Sequence, residues 1–240
     1  MAIVLGDQAV GATVPLRFNG VATDFMVVHQ GIPSSMYDSS CEGTWLLTKD
    51  VYNSRYWDDT NTNDYANSPI NNYINSTILN QFDPEVKGII KTVKIPYRPG
   101  RGTGSRVNSG ANGLACKIFL LSGYEVGYTD SGGLGFPQDG VKLTYFDPGD
   151  TGRNKRIGNN YNSGSATSWW LRSPNADSEV SAWYITELGY CSSRNCSGSY
   201  GVRPALIMPR DARLSENGTI THRGVYIKTN GQWNLAYQSN

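Results

Sequence analysis

The sequence has few histidines, few charged residues and no long apolar run. Only 2 of its 240 residues are His, and Asp, Glu, Lys and Arg together make up 17%, below the roughly 25% that is typical of soluble domains. The formal net charge of +1 gives no electrostatic argument for nucleic acid or an anionic membrane as a partner. No stretch approaches the ~20 apolar residues of a membrane span. We therefore predict neither nucleic-acid binding nor membrane insertion.

The amino-terminal residues lack the apolar region of a secretory signal peptide. Residues 1–5 run directly into Gly6 and Asp7, so we expect no signal peptide and folding in a cytoplasm. Four cysteines in a chain of this length do not form a disulfide framework, and that compartment favours free thiols. Cys191 and Cys196 are near enough in sequence to pair, and the sequence leaves their state open.

Most of the chemistry of known catalytic sites is missing. His29 and Cys41 could form a nucleophile pair, but no family signature surrounds the cysteine, so structural roles are favoured. Residues 59–64 imitate the start of a calcium loop, yet the sixth position is Asp64 instead of Gly and the twelfth is Ile70 instead of Glu. We expect no metal, no cofactor and no enzymatic activity.

Glycine and tyrosine are abundant, at 27 and 15 residues. A surface rich in Tyr, Ser, Asn and Gly is similar to antibody binding loops, where Tyr provides rigid contact area and the small polar residues adapt their hydrogen bonds. The same composition also occurs in loop-rich folds without a binding role. Composition alone leaves both interpretations open.

The first hundred residues contain a predicted hairpin and two predicted helices. Two β-prone runs flank Asn19-Gly20, a dipeptide typical of hairpin turns. Ser68 before Pro69 is typical of a helix start, and apolar residues at helical spacing then predict a helix over 69–80. A second start at Asp83-Pro84 predicts a helix over 84–93.

The last third predicts three short strands and a terminal hairpin. The strands cover 168–172, 182–186 and 202–208, and Pro204 predicts that the third is an edge or bulged strand. Residues 224–235 predict a hairpin around Asn230-Gly231. A polar segment precedes it, so we predict one domain over residues 1–209, followed by a linker and a hairpin appendage over 210–240.

Seven motifs occur in an order that resembles the DUF6273 family, which is found in phages, prophages and gut bacteria. The resemblance covers about residues 5–209 and rests on these segments: HQG at 29–31, YDSSC at 37–41, GTWLL at 43–47, KIPYR at 94–98, KIFLLSGYEVG at 117–127, WWLRSP at 169–174 and GVRPAL at 201–206. The last two also resemble the end of the C-type-lectin-like variable proteins served by diversity-generating retroelements. The terminal hairpin is similar to small modules of phage tail proteins.

The resemblance implies a C-type-lectin-like fold of the α+β class, with a mixed, mainly antiparallel sheet, two helices and long loops. It also implies a fixed scaffold that carries a diversified ligand-binding face. Four residues are expected to build the scaffold, because large aromatics and paired arginines mostly form cores and loop anchors: Trp169, Trp170, Arg172 and Arg203. At least one of the two tryptophans should be buried, since they alternate across a strand.

Residues 175–197 mix aromatic and short polar side chains, which is the composition of binding hot spots. The predicted ligand-binding residues are Asn175, Asp177, Ser178, Glu179, Ser181, Trp183, Tyr184, Glu187, Tyr190, Ser192, Ser193, Arg194, Asn195 and Ser197. Alternation allows only one of Trp183 and Tyr184 to face outward. The alternative interpretation of this segment is a solvated hairpin.

These inferences lead to three functional hypotheses. The first is a phage tail-tip protein that is assembled in the host cytoplasm and binds a host-surface protein or glycan through 175–197. In that case the terminal hairpin would contact other tail proteins, and self-association stays open. The second is a bacterial surface adhesion or display protein of the same fold. The third is an oxidase of the formylglycine-generating type, for which Cys191 and Cys196 are the only near pair.

Overall fold

The computed structural model describes residues 2–100, 106–128 and 136–221, and the backbone of 224–229 and 232–238. The helices of these residues are α1 (Pro69–Tyr73), α2 (Pro84–Ile89) and α3 (Arg153–Arg156). The strands are β1 (Ile3–Val4), β2 (Thr13–Phe18), β3 (Val21–Gln30), β4 (Thr44–Thr48), β5 (Asn53–Tyr56), β6 (Val93–Ile95), β7 (Leu114–Cys116), β8 (Ile118–Phe119), β9 (Gly158–Asn159), β10 (Ala166–Thr167), β11 (Trp169–Pro174), β12 (Ser181–Ile185), β13 (Cys191–Asn195), β14 (Ser199–Val202), β15 (Ala205–Met208), β16 (Arg213–Leu214), β17 (Gly224–Thr229) and β18 (Gln232–Gln238).

Two five-stranded sheets form the centre of the structure. The first has the order β2-β3-β4-β15-β8 and is antiparallel throughout. The second has the order β13-β12-β11-β14-β5 and is antiparallel except for the parallel pair of β11 and β14. The predicted α+β class is confirmed: the sheets are mostly antiparallel and the helices are few and short.

The hairpin predicted at Asn19-Gly20 is confirmed. Phe18 pairs with Val21, so the turn has two central residues, and both have positive φ, 51° for Asn19 and 71° for Gly20. Such a turn matches the twist of the flanking strands, and Asn and Gly tolerate the conformation best.

The first predicted helix is confirmed. The Ser68 hydroxyl accepts a hydrogen bond from the Asn71 amide at 3.3 Å, which satisfies one of the free amides of the first turn. Pro69 occupies the first turn, where it needs no donor. After α1 the helical path continues through a π-helical turn and a 3₁₀ turn to Gln81.

The predicted end of the second helix at residue 93 is wrong. Ile90 already has an extended conformation, with ψ of 121°, and Val93 begins β6 by pairing with Cys116 of β7. Val86, Ile90 and Val93 are all buried. Their apolar spacing fits a helix, but a turn followed by a strand buries them equally well.

The strand predicted over 202–208 is two strands, and it is not an edge strand. The chain leaves the second sheet after Val202 and enters the first sheet at Ala205, where β15 lies between β4 and β8. Pro204 falls in the gap between the two strands, where no ladder hydrogen bond is required of it. Every residue of β4 and β15 is buried, as expected for strands covered on both faces.

The carboxy-terminal segment is partly attached to the rest of the chain. β16 pairs with β1, and Leu214 is completely buried, so part of the predicted linker packs on the preceding fold. β17 and β18 form the predicted antiparallel pair, and Asn230-Gly231 lies outside the described residues. The division into a domain and an appendage stays a prediction. Across the described ranges, no helix combines the length and apolarity needed to cross a bilayer.

Candidate ligand-binding surface

Both tryptophans of the WWLRSP motif are fully buried, on opposite faces of the second sheet. Trp170 belongs to one apolar cluster and Trp169 to another. The indole nitrogen of Trp170 donates to the carbonyl oxygen of Arg55, and that of Trp169 to the carbonyl of Arg156, each at 2.9 Å. Each large ring therefore adds apolar area to the core without leaving its polar group unpaired.

Arg172 binds loops and a carboxylate in the interior. It donates to Glu125 through both terminal nitrogens and to the carbonyl oxygens of Pro96, Leu120 and Asp139, at 3.0, 3.0 and 2.8 Å. The Arg172 and Glu125 side chains have no exposed surface. A planar guanidinium with five donors can satisfy this many acceptors at once, so one residue fixes three separate segments.

Arg203 holds a second loop in the same way. Its guanidinium donates to the carbonyl oxygens of Thr48 and Lys49, at 3.0 and 2.9 Å, and lies 5.1 Å from the centre of the Trp169 ring. Burial lowers the pKa of Arg203 to about 10, so the side chain still carries its charge at neutral pH. The contacts connect β4 to the break between the two sheets.

Asp139 is expected to make stability depend on pH. Burial raises the pKa of its carboxyl to about 6, and the Ser173 hydroxyl lies within 3.0 Å of both carboxyl oxygens. Between about pH 6 and the unfolded value near pH 4, the folded state therefore binds a proton that the unfolded state does not. The contribution of this group is most favourable at low pH and declines, by at most about 3 kcal/mol, as the pH rises through 6.

The measurement is urea unfolding of the wild type and Asp139→Asn at intervals from pH 4 to pH 7.5. Other groups titrate equally in both proteins, so their difference isolates Asp139. The free energy of unfolding of the wild type should decline more steeply with rising pH than that of the variant. Parallel curves would contradict the buried, protonatable carboxyl.

The loop that precedes β12 contains four of the predicted ligand-binding residues, Asn175, Asp177, Ser178 and Glu179. The buried side chain of Asn63 holds this loop. Its amide nitrogen lies 3.1 Å from the carbonyl oxygen of Asn175, 2.6 Å from that of Ser178 and 2.9 Å from that of Ser181. Sequence reasoning considered residues 59–64 only as a candidate calcium loop and missed this role of Asn63, because nothing local indicates a contact more than a hundred residues away.

Trp183 does not belong to the exposed surface, contrary to its place among the predicted ligand-binding residues. It is 5% exposed, and its ring centre lies 4.5 Å from that of Phe136. Tyr184 points to the opposite face of β12 and is half-buried. By strand alternation, the Trp183 face of the hairpin also carries Ser181, Ser193 and Asn195. The Ser193 hydroxyl accepts a hydrogen bond from the side-chain amide of Asn175 at 3.1 Å. The predicted residues therefore lie on two faces of one hairpin.

Tyr184 forms a stacked pair with Tyr200 of β14. The ring centres are 4.3 Å apart and the planes differ by 9°. Trp170 contacts both rings edge-on, at 5.9 Å from Tyr184 and 4.8 Å from Tyr200. Sequence reasoning missed Tyr200, which lies just beyond the segment 175–197. Burial and a hydrogen bond with Tyr184 raise the pKa of Tyr200, so its hydroxyl stays protonated at neutral pH.

Polar and cationic side chains flank the two tyrosines on the same face. Ser192 pairs with Tyr184, and Arg55 pairs with Tyr200 across the sheet. The Arg55 guanidinium lies 4.2 Å from the centre of the Tyr73 ring, a cation–π distance. Arg194 is exposed on β13. We call this surface the tyrosine platform, which consists of Tyr184, Tyr200, Ser192, Arg194, Arg55 and Tyr73.

The other predicted residues lie in the turns around the hairpin. Glu187 accepts a hydrogen bond from Ser168 at 3.0 Å. Tyr190 accepts one from Arg153, whose guanidinium lies 5.4 Å from the centre of the tyrosine ring. The Ser197 amide donates to the Asn61 side chain at 3.3 Å.

The cysteines do not have the environment of reactive thiolates. Burial raises the pKa of Cys41 to about 12, and its thiol donates to the carbonyl oxygen of Lys94 at 3.3 Å. His29 contacts Thr144 instead, with 2.7 Å between the Nδ1 atom and the hydroxyl. Cys191 and Cys196 are free, and burial raises the pKa of both. In the part of the chain that the structure describes, no group of three or more His, Cys, Asp or Glu residues could hold a metal ion.

Comparison with known proteins gives one family. The model of DUF6273, a domain of unknown function, matches residues 42–210. This range contains the whole second sheet and three strands of the first, β4, β8 and β15. Curated proteins and solved structures give no match. Since the matched range is well over half of the chain, the protein belongs to the DUF6273 family.

Proposed function

We propose that this protein is a ligand-display protein with a C-type-lectin-like fold, which binds a host-surface protein or glycan at the tip of a phage tail. The observation that supports the proposal is the tyrosine platform, with its stacked Tyr184 and Tyr200. The resemblance to phage-associated variable proteins supports the biological setting of this proposal, and the chemistry of the platform supports its choice of binding surface.

The platform has the chemistry of an effective binding surface. Tyr and Arg dominate binding hot spots, because each provides a large contact area together with hydrogen-bonding capacity. Tyr184 and Tyr200 are partly exposed, so part of each ring can contact a ligand. The arginines on either side add positive charge, which favours ligands that carry carboxylates or other acceptors.

The platform is also held in place before a ligand arrives. Trp170 is fully buried beneath the two tyrosines and fixes their orientation through edge-on contacts. Preorganised aromatic side chains lose little conformational entropy on binding, so more of the contact energy contributes to affinity. The rigid base and the exposed polar positions around it suit a surface whose side chains vary while the fold stays constant.

The test is adsorption of the labelled protein to a panel of gut bacterial strains. Replacing Tyr184 or Tyr200 by Ala should weaken adsorption to a bound strain by at least about tenfold, since hot-spot truncations cost about 2 kcal/mol or more. Periodate treatment of the cells should abolish adsorption if the ligand is a glycan, and protease treatment should do so if it is a protein.

Tyr161→Ala is the matched control, because Tyr161 is another exposed tyrosine, 49% accessible, outside the platform. It should leave adsorption unchanged. Adsorption that survives both platform substitutions would contradict the proposal.

A further inference from the structure

A cavity of about 250 Å³ lies against β3, and no residue of the tyrosine platform lines it. Its deeper wall consists of the buried side chains of Phe18, Phe25 and Phe82. Tyr161 also lines it and is 49% exposed, which places the mouth at this side. The volume is slightly below the roughly 300–1,000 Å³ of drug-sized sites, so the cavity suits a small molecule.

Aromatic rings surround this space. Phe18 contacts Phe82 and Tyr52 edge-on, each with 5.0 Å between ring centres. Tyr52 lies 6.1 Å from Tyr161 at the mouth. An apolar ligand body would replace water against the phenylalanines, and the faces of the tyrosines would attract a positive charge.

Two carboxylates line the same cavity. Asp24 is about half exposed and pairs with Lys49 at 3.0 Å, and Asp50 interacts electrostatically with Lys49 and Arg203. Lys49 and Arg203 are the nearby cations, and neither lines the cavity. Because an exposed pair such as Lys49 with Asp24 contributes little, a ligand cation can take its place.

A buried hydroxyl in the wall also lacks a partner. Thr48 is 9% exposed and lines the cavity, and its Oγ1 atom has no hydrogen-bond partner among the residues described. Buried polar groups are nearly always satisfied in native proteins. A ligand with a donor group near this hydroxyl would supply the missing bond.

From these features we infer that the cavity binds a small organic cation, an ammonium group attached to an apolar body. The apolar body occupies the phenylalanine wall, and the ammonium lies near Asp24, Asp50 and the Thr48 hydroxyl. This site does not depend on the tyrosine platform or on the proposed receptor binding.

The test compares two ligands of the same shape, phenethylamine and the uncharged phenethyl alcohol. Titration of each into the full chain, followed by calorimetry and by backbone amide NMR shifts, gives both affinity and location. The amine should bind at least about tenfold more tightly than the alcohol, and the shifts should centre on β3 and the residues after β4. Failure of the amine to bind at millimolar concentration, or equal affinity for the alcohol, would overturn the inference.

Asp50→Asn identifies the contribution of the carboxylate. It should weaken amine binding by about tenfold or more and leave the alcohol unaffected. Tyr184→Ala, on the platform, should leave amine binding unchanged, so that failure of the receptor proposal and failure of this one are separate results. An Asp50→Asn protein that binds the amine as tightly as the wild type would show that the cation is not recognised here.

Discussion

Replacing Arg172 by Met should lower the free energy of unfolding by about 3–5 kcal/mol. The substitution keeps an apolar stem of similar length but removes every guanidinium hydrogen bond. Glu125 would then be a buried carboxylate whose described hydrogen bonds are those from the Tyr37 hydroxyl at 2.7 Å and the Ser122 amide at 2.9 Å. An uncompensated buried charge is among the most destabilising features that a single substitution can create.

Lys155→Met is the matched control for this prediction. Lys155 pairs with Asp147 at 3.0 Å, but both side chains are about half exposed, so the substitution should cost no more than about 1 kcal/mol. Urea unfolding of the three proteins gives the comparison. A loss for Arg172→Met as small as that for Lys155→Met would mean that the buried ion pair does not stabilise the fold. A second buried substitution, Glu125→Gln, should cost about as much as Arg172→Met, because it leaves the buried Arg172 charge without its carboxylate and places an amide NH2 against groups that already donate there.

The sequence predicted those parts of the fold that depend on local conformation. The hairpin at Asn19-Gly20 and the helix start at Ser68-Pro69 are determined by backbone preferences of the residues themselves. Both are confirmed in the structure. In these places a few neighbouring residues contain all the necessary information.

The secondary-structure predictions failed where tertiary contacts determine the conformation of the chain. Residues 90–93 have helical apolar spacing, but pairing of Val93 with Cys116 draws them into a strand. The run around Pro204 reads as one strand, yet the chain moves from one sheet to another there. Each outcome depends on a partner far along the chain, which periodicity cannot reveal.

In the binding surface, too, the sequence predicted the local features and missed those that depend on tertiary contacts. Alternation correctly required that Trp183 and Tyr184 point in opposite directions, but the choice of the outward residue depends on which side of the sheet Phe136 covers. The platform also combines β12 and β13 with Arg55 and Tyr200, from strands that a single sequence segment does not contain. A contiguous segment such as 175–197 could therefore give only part of the site.

Trp170→Ala should strongly lower the free energy of unfolding, whereas substitutions at the exposed positions near it should hardly change it. The ring is fully buried, so its removal should cost roughly 3–5 kcal/mol in unfolding free energy. Removal also leaves the carbonyl of Arg55 without its indole donor. Exposed side chains such as Arg194 and Glu179 contribute little to the core, and their replacement by Ala should change stability by no more than ~0.5 kcal/mol.

For ligand binding we expect the reverse ranking, in which substitutions at the exposed positions have the larger effects. Arg194→Ala should weaken adsorption to host cells while the protein stays as stable as the wild type, because an arginine at a binding surface acts through the ligand alone. Trp170→Phe, which keeps an aromatic ring under Tyr184 and Tyr200, should retain more binding than Trp170→Ala when both are measured well below their melting temperatures. The experiment is a paired alanine scan of 169–205 that records melting temperature and adsorption for each variant. If exposed members of 175–197 prove destabilising and leave adsorption untouched, the segment is structural and the ligand-display proposal is wrong.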